Sequence, residues 1–166
     1  YLAKIYETSL KMCYFPNEWK QGVTILIPKP NKDPSDPKSY RPITLISALG
    51  KTFERVINVR LKRHLENNKL IADSQAGFRK NRSTQDQLFR ITQDITSAFQ
   101  NNQRVLATFF DIEKAFDKLW IEGLILKMKD SLNLKEGTIA ILLNFLTDRY
   151  VKFKVGQSMS KPLNLK

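Results

Sequence analysis

The nine residues FFDIEKAFD, 109–117, decide how this chain is read, because an apolar run ends there in a carboxylate and passes into a helix-forming pattern. Val105, Leu106, Ala107, Phe109 and Phe110 read as a buried strand. Ligands of sheet-based folds gather beyond strand ends, so Asp111 is aimed into a cleft. Mg²⁺ takes a few carboxylates together with phosphate and water oxygens, so one strand-end aspartate supplies at most half of such a site. Glu113 and Asp117 are the nearest further acids. Glu113 shares a face with Asp111 only if the strand extends to it, and once a helix begins Asp117 points elsewhere. An isolated acid after an apolar strand is more often a turn or cap residue than a catalyst, and on local grounds that ordinary reading stays ahead.

Around this stretch lies a chain of 166 residues, 42% hydrophobic and 10% aromatic, which is enough to bury a core and excludes a disordered polyampholyte. It begins at Tyr1 and ends within what reads as a strand-turn-strand, so it is expected to be a segment of a longer protein. The 28 Lys and Arg against 16 Asp and Glu give a net charge of +12, which favours a polyanionic partner. Residues 38–82 hold eleven of the cations (Lys38, Arg41, Lys51, Arg55, Arg60, Lys62, Arg63, Lys69, Arg79, Lys80, Arg82) against Glu54, Glu66 and Asp73. A basic stretch can also be a merely solubilising surface. Cys13 is alone and so is His64, which excludes a disulfide framework and a structural zinc site and points to a reducing, intracellular setting. No apolar run approaches the length of a membrane span.

Residues 2–13 carry Leu2, Ile5, Tyr6 and Leu10 at helical spacing, and Pro16 bars continuation. VTILIP, 23–28, reads as a strand, and the following PKPNKDPSDPK, with four prolines, as an exposed loop. From Ser47 as N-cap, Leu49, Phe53, Val56, Ile57, Leu61 and Leu65 predict a helix. Lys51, Arg55 and Lys62 fall together opposite its apolar stripe, whereas Arg60 and His64 fall within it. A stripe of cations can simply face water, and a core histidine with a satisfied hydrogen bond is commoner than a functional one. Ser83 and Asp86 form a capping-box pattern ahead of Leu88, Ile91, Ile95, Ala98 and Phe99, and Asn101 and Asn102 end that helix. Helical patterns follow near 113–130 and 137–148, then alternating YVKFKV at 150–155 and a turn at Gly156. The layout is mixed helix and strand without regular βα alternation.

Two cations change the balance at Asp111. Lys29 stands at the exit of one apolar strand, in IPKP (27–30), and Arg41 at the start of another, in SYRPITL (39–45). On adjacent strand ends they could grip a triphosphate, Arg as a fork and Lys as a point charge. Either alone would be an ordinary surface charge.

WK (19–20), IPKP, SYRPITL, LGKTFERVINVRL (49–61), QAGFRKNRST (75–84) and FFDIEKAFD occur in one order and spacing. In this the chain resembles the reverse transcriptases of non-LTR retrotransposons, in particular those of jockey-like elements, over nearly its whole length. The resemblance implies an α+β fold, the fingers and partial palm of a right-hand polymerase, ending before the second half of the active site. Residues 1–103 would be fingers-like, 104–120 the first palm strand and the start of the next helix, and 121–166 helices and a partial hairpin. It further implies that Asp111 is the first metal-binding aspartate, with the carbonyl of Ile112 as an added ligand, in a site for two Mg²⁺ ions. Phe116 would be the aromatic gate beneath the incoming sugar, Lys29 and Arg41 the triphosphate contacts, and Gln75, Gly77, Phe78 and Arg79 a motif beside the template. With Lys51, Arg55 and Lys62 on phosphates, the implied partners are an RNA template, a DNA primer, dNTPs and the remainder of the polymerase, in the nucleus or a cytoplasmic ribonucleoprotein and without a membrane.

The family's PQG segment and its hairpin with paired aspartates are absent from these residues. The chain by itself is therefore expected to lack polymerase activity although it descends from an enzyme. The alternative is a catalytically dead remnant, or a nucleic-acid-binding module that keeps the basic fingers. A small Mg²⁺ nuclease is weaker, since no second carboxylate is well placed beside Asp111.

Overall fold

The computed structural model describes residues 1–116 and 118–165. In chain order the elements are α1 (Leu2–Lys11), β1 (Gln21–Pro28), β2 (Tyr40–Ile46), α2 (Ala48–Asn67), α3 (Thr84–Gln100), α4 (Ile121–Asp130), α5 (Glu136–Leu146), β3 (Arg149–Val155), β4 (Ser158–Met159) and β5 (Leu163–Leu165). This is the mixed α+β layout that the sequence pattern predicts. The chain divides into two compact units, one of Tyr1–His64 with the chain from Trp120 onward, the other of Leu65–Leu119.

Unit 1 is built on one sheet in the order β2-β1-β3-β4, with β5 also on β3. β1 and β2 are antiparallel from Gly22↔Ile46 to Pro28↔Tyr40, and β1 and β3 are parallel from Gln21↔Tyr150 to Ile25↔Lys154. β4 pairs with Lys154 and Val155, and β5 with Arg149–Val151, so the two short strands share the remaining edge of β3. Gly22, Thr24 and Val151 lie on the covered face, where the Thr24 and Thr44 hydroxyls meet at 2.8 Å. Gly22 is required there, because a Cβ would collide with the Thr44 methyl.

The core of this unit gathers Tyr6 from α1, Phe15 and Trp19 from the turn after it, Phe53 and Ile57 from α2, Met128 from α4, Leu134, and Ile141 and Leu142 from α5. Its rings interlock: Tyr6 stacks on Phe53 at 5.2 Å, Phe15 meets Phe145 edge-on at 5.0 Å, and Trp19 lies 5.6 Å from Phe53. Each large side chain so buried contributes about 1.5–3 kcal/mol relative to exposure. Polar groups are matched as they enter: the Tyr6 hydroxyl donates to the Leu49 carbonyl at 3.1 Å, and the Phe15 amide donates to Asn144 Oδ1 at 2.7 Å.

Unit 2 holds the end of α2, a loop and α3. Its helix starts as expected, with a complete capping box: the Ser83 amide donates to Asp86 Oδ2 at 2.6 Å and the Asp86 amide to Ser83 Oγ at 3.3 Å. α3 buries none of its residues.

The expected strand around Phe109 and Phe110 is not formed. Residues 103–112 carry no regular structure and all are exposed, Phe110 by 91%. A strand exists only through its ladder, and unit 2 contains no other strand among the described residues with which to pair. The helix expected from 113 also starts late. Residues 113–116 and 118 form turns, Lys114 adopts a left-handed φ of 54°, and α4 begins only at Ile121.

Candidate functional site

Lys29 and Arg41 both lie at one end of the β1–β2 hairpin. Arg41 pairs in register with Ile27, and just beyond the ladder the Lys29 amide donates to the Ser39 carbonyl at 2.7 Å, so the two cations are diagonal neighbours. The connecting proline loop is braced rather than loose. The Tyr40 hydroxyl donates to the Pro34 carbonyl at 2.9 Å, and Asp36 caps the turn of 37–39 by accepting from the Lys38 amide. Asp33 accepts from the Ser35 amide and hydroxyl, and these bonds hold its carboxyl below the ordinary value of 3.8. The Lys29 ammonium donates to the Lys38 carbonyl at 2.8 Å, which fixes it against the loop. The adjacency follows from the sequence; the bracing of Tyr40 against Pro34 does not.

On α2 the residues Lys51, Arg55 and Lys62 are all exposed, and their spacing of four and seven keeps them on one face. Phe53 and Ile57 hold the opposite face in the core. Of the two polar residues on the apolar side, Arg60 is exposed and His64 is half-buried with Nε2 3.2 Å from the Leu132 carbonyl, which is the common structural use of a histidine. A cation that periodicity did not single out is Lys20, only 2% exposed. Burial pushes its pKa down, Asp148 partly offsets this, and Arg149 adds to it.

The motif from Gln75 to Arg79 falls in unit 2. Gln75, Gly77 and Phe78 are exposed, and Phe78, 87% exposed, adopts a left-handed φ of 60°. Arg79 is turned inward. Its Nε and Nη2 donate to the two Glu66 oxygens at 2.9 and 2.7 Å, and its Nη1 donates to the carbonyls of Ala72 and Gln75. Glu66 was not legible as part of this site, since a pair 13 residues apart leaves no periodic trace.

Asp111, Ile112 and Phe116 are exposed, Ile112 by 71% and Phe116 by 87%. Asp117, weighed as a partner of Asp111, lies outside the described residues. Among the described residues no group of three or more His, Cys, Asp or Glu side chains could hold a metal. One carboxylate and one carbonyl fall short of what Mg²⁺ needs, so these residues do not by themselves form its site. Nor is any described helix long and apolar enough to cross a membrane.

The family described as reverse transcriptase (RNA-dependent DNA polymerase) matches residues 27–161, a span that takes in every residue of the hairpin end, the basic helix face, the Gln75 loop and the Asp111 stretch. A Drosophila melanogaster protein named probable RNA-directed DNA polymerase from transposon BS is 38% identical over 162 residues, covering 98% of this chain and 18% of that protein. RNA-directed DNA polymerase from mobile element jockey, of the same fly, is 40% identical over 129 residues, 78% of this chain and 14% of the relative. A third fly protein, from transposon X-element, is 37% identical over 132 residues, 80% of this chain and 14% of its own length. The chain thus spans less than a fifth of each of these relatives. From IPKP onward the ordered motifs lie within the matched span, as do the two cations of the hairpin, and the chain belongs to the reverse transcriptase family.

Proposed function

We propose that this chain is part of an RNA-directed DNA polymerase of a non-LTR mobile element, which extends a DNA primer along an RNA template from dNTPs. The observation that carries this reading is the braced hairpin end, which puts Lys29 and Arg41 at diagonal positions of one ladder within the span matched by the family. Their charges receive the incoming triphosphate and offset the charge that develops on it. Phe116 packs beneath the sugar. Asp111 and the Ile112 carbonyl contribute to a Mg²⁺ site that carboxylates elsewhere in the polymerase complete. Lys51, Arg55 and Lys62 hold phosphates of the template-primer duplex, and Gln75, Gly77 and Phe78 border the template.

In this reading residues 1–103 are fingers-like, 104–120 are the first palm segment with the start of the next helix, and 121–166 lead toward the remainder of the palm. The enzyme acts where the element's RNA resides, in the nucleus or a cytoplasmic ribonucleoprotein.

The chain itself should retain an RNA–DNA template-primer, with affinity falling as salt rises. Replacing Lys51, Arg55 and Lys62 by Gln should flatten the log–log salt slope by about two to three, and Asp111→Ala should leave binding intact. No retention at low salt would end this reading. In a complete polymerase carrying this chain, Asp111→Ala should abolish primer extension and Lys29→Ala with Arg41→Ala should raise the dNTP requirement; undiminished extension would remove those roles. A nucleic-acid-binding remnant without catalysis shares the basic surfaces. It is favoured by the single carboxylate at Asp111, and primer extension separates the two.

A further inference from the structure

Arg79 sits in a motif whose basic residues would ordinarily be assigned to phosphates, yet its guanidinium is already engaged. Its contacts to Glu66 form a two-point fork, and those to Ala72 and Gln75 take up Nη1, so four of its hydrogen bonds stay within residues 66–79. The side chain is 10% exposed, while Lys80 and Arg82 beside it face solvent. The segment it spans leaves α2 through a left-handed Lys69, turns at Ala72–Gln75, where the Gln75 amide donates to the Ala72 carbonyl at 3.0 Å, and reaches Phe78 in a second left-handed conformation. A bulky residue holds that conformation only where its surroundings impose it. One of the carbonyls that Arg79 grips is that of Gln75 itself, and Gly77 and Phe78 lie between Gln75 and Arg79 in the chain.

We propose that Arg79 is a positioning residue: it fastens the 66–79 segment to the end of α2 and presents Gln75, Gly77 and Phe78 to the template in one conformation, without touching a phosphate itself. This rests on the reading that the loop borders the template. The fork matters more than the charge, because a lysine offers one point charge in place of the planar set of donors. Arg79 and Glu66 should then behave as one unit although they carry opposite charges.

The test compares Arg79→Gln, Arg79→Lys, Glu66→Gln and the Arg79→Gln/Glu66→Gln double variant. In the chain without nucleic acid, amide exchange across 69–79 should quicken by about tenfold in every variant. Unchanged exchange in Arg79→Gln would overturn the clasp, and this readout does not depend on polymerase function. With an RNA–DNA template-primer, Arg79→Gln and Glu66→Gln should each weaken binding by about tenfold through the cost of ordering the loop. The double variant should be no weaker than either, Arg79→Lys should fail to rescue, and the salt slope should not move. Tighter binding by Glu66→Gln, rescue by lysine, or a slope reduced by about 0.9 in Arg79→Gln alone would make Arg79 a phosphate contact and overturn the proposal. No binding by the unsubstituted chain would overturn the template half, while exchange still judges the clasp.

Discussion

Phe53 in unit 1 is 0% exposed among Tyr6, Phe15 and Trp19, whereas Phe109 and Phe110 in unit 2 are 81% and 91% exposed. The same residue type is core in one region and bare in the other. Every buried residue among those described belongs to unit 1, while unit 2 is shaped by polar contacts: a capping box at Ser83 and the Arg79–Glu66 fork. Hydrogen bonds contribute only modestly to net stability but are demanding in direction, whereas apolar burial is strong and undirected. Unit 2 therefore has well-defined local geometry with little burial behind it. Its open apolar surface, Leu88, Phe89, Phe99, Phe109 and Phe110, is of the kind that folded proteins cover.

The contrast can be broken most directly at Phe53. Phe53→Ala should cost unit 1 about 3–5 kcal/mol, read by denaturant unfolding, and a cost near zero would erase the distinction. In α3 the largest effect should come from the cap: Ser83→Ala should weaken the helix by about 1 kcal/mol, seen as faster amide exchange in its first turn. Lys20→Met sharpens the picture of unit 1 through pH. Because burial lowers the Lys20 pKa from 10.5, its charge costs stability in full below the folded-state value, and this cost fades as pH climbs to 10.5. The substitution should therefore raise the melting temperature at neutral pH, by less at pH 10; an equal gain at both would refute the assignment of that cost to the charge. The smallest effect belongs to Phe99→Ser, at a side chain 67% exposed, which should alter stability by no more than about 0.5 kcal/mol.

Legibility in the sequence followed the range of the interaction. α3 could be read because Ser83 and Asp86 are three residues apart and close their own hydrogen bonds. β1 could be read because it is a β-branched apolar run that ends at Pro28, and β2 because the β-branched run 43–46 follows Pro42, and with them the diagonal placing of Lys29 and Arg41. The strand expected at 105–110 failed because apolarity marks what can be buried, not whether a ladder partner is at hand. The fork between Glu66 and Arg79 and the burial of Lys20 depend on residues brought together only by the fold, so no spacing announced them. The role proposed for Asp111 came from the ordered motifs, since among the described residues no cluster of acids forms a metal site.

The parallel pairing of β1 with β3 sets an order of events in synthesis. Gln21 finds Tyr150 129 positions later, and all of unit 2 is strung between them. Joining two strands across so long an excursion carries a loop-closure cost that local hairpins avoid, and makes this the slow contact of the sheet. Until Tyr150 leaves the ribosome, β1 has β2 on one side and an open edge on the other, a template for pairing with other chains. The nascent chain would thus carry a vulnerable interval, lasting as long as the intervening residues take to translate, in which the bare edge of β1 can pair with another copy.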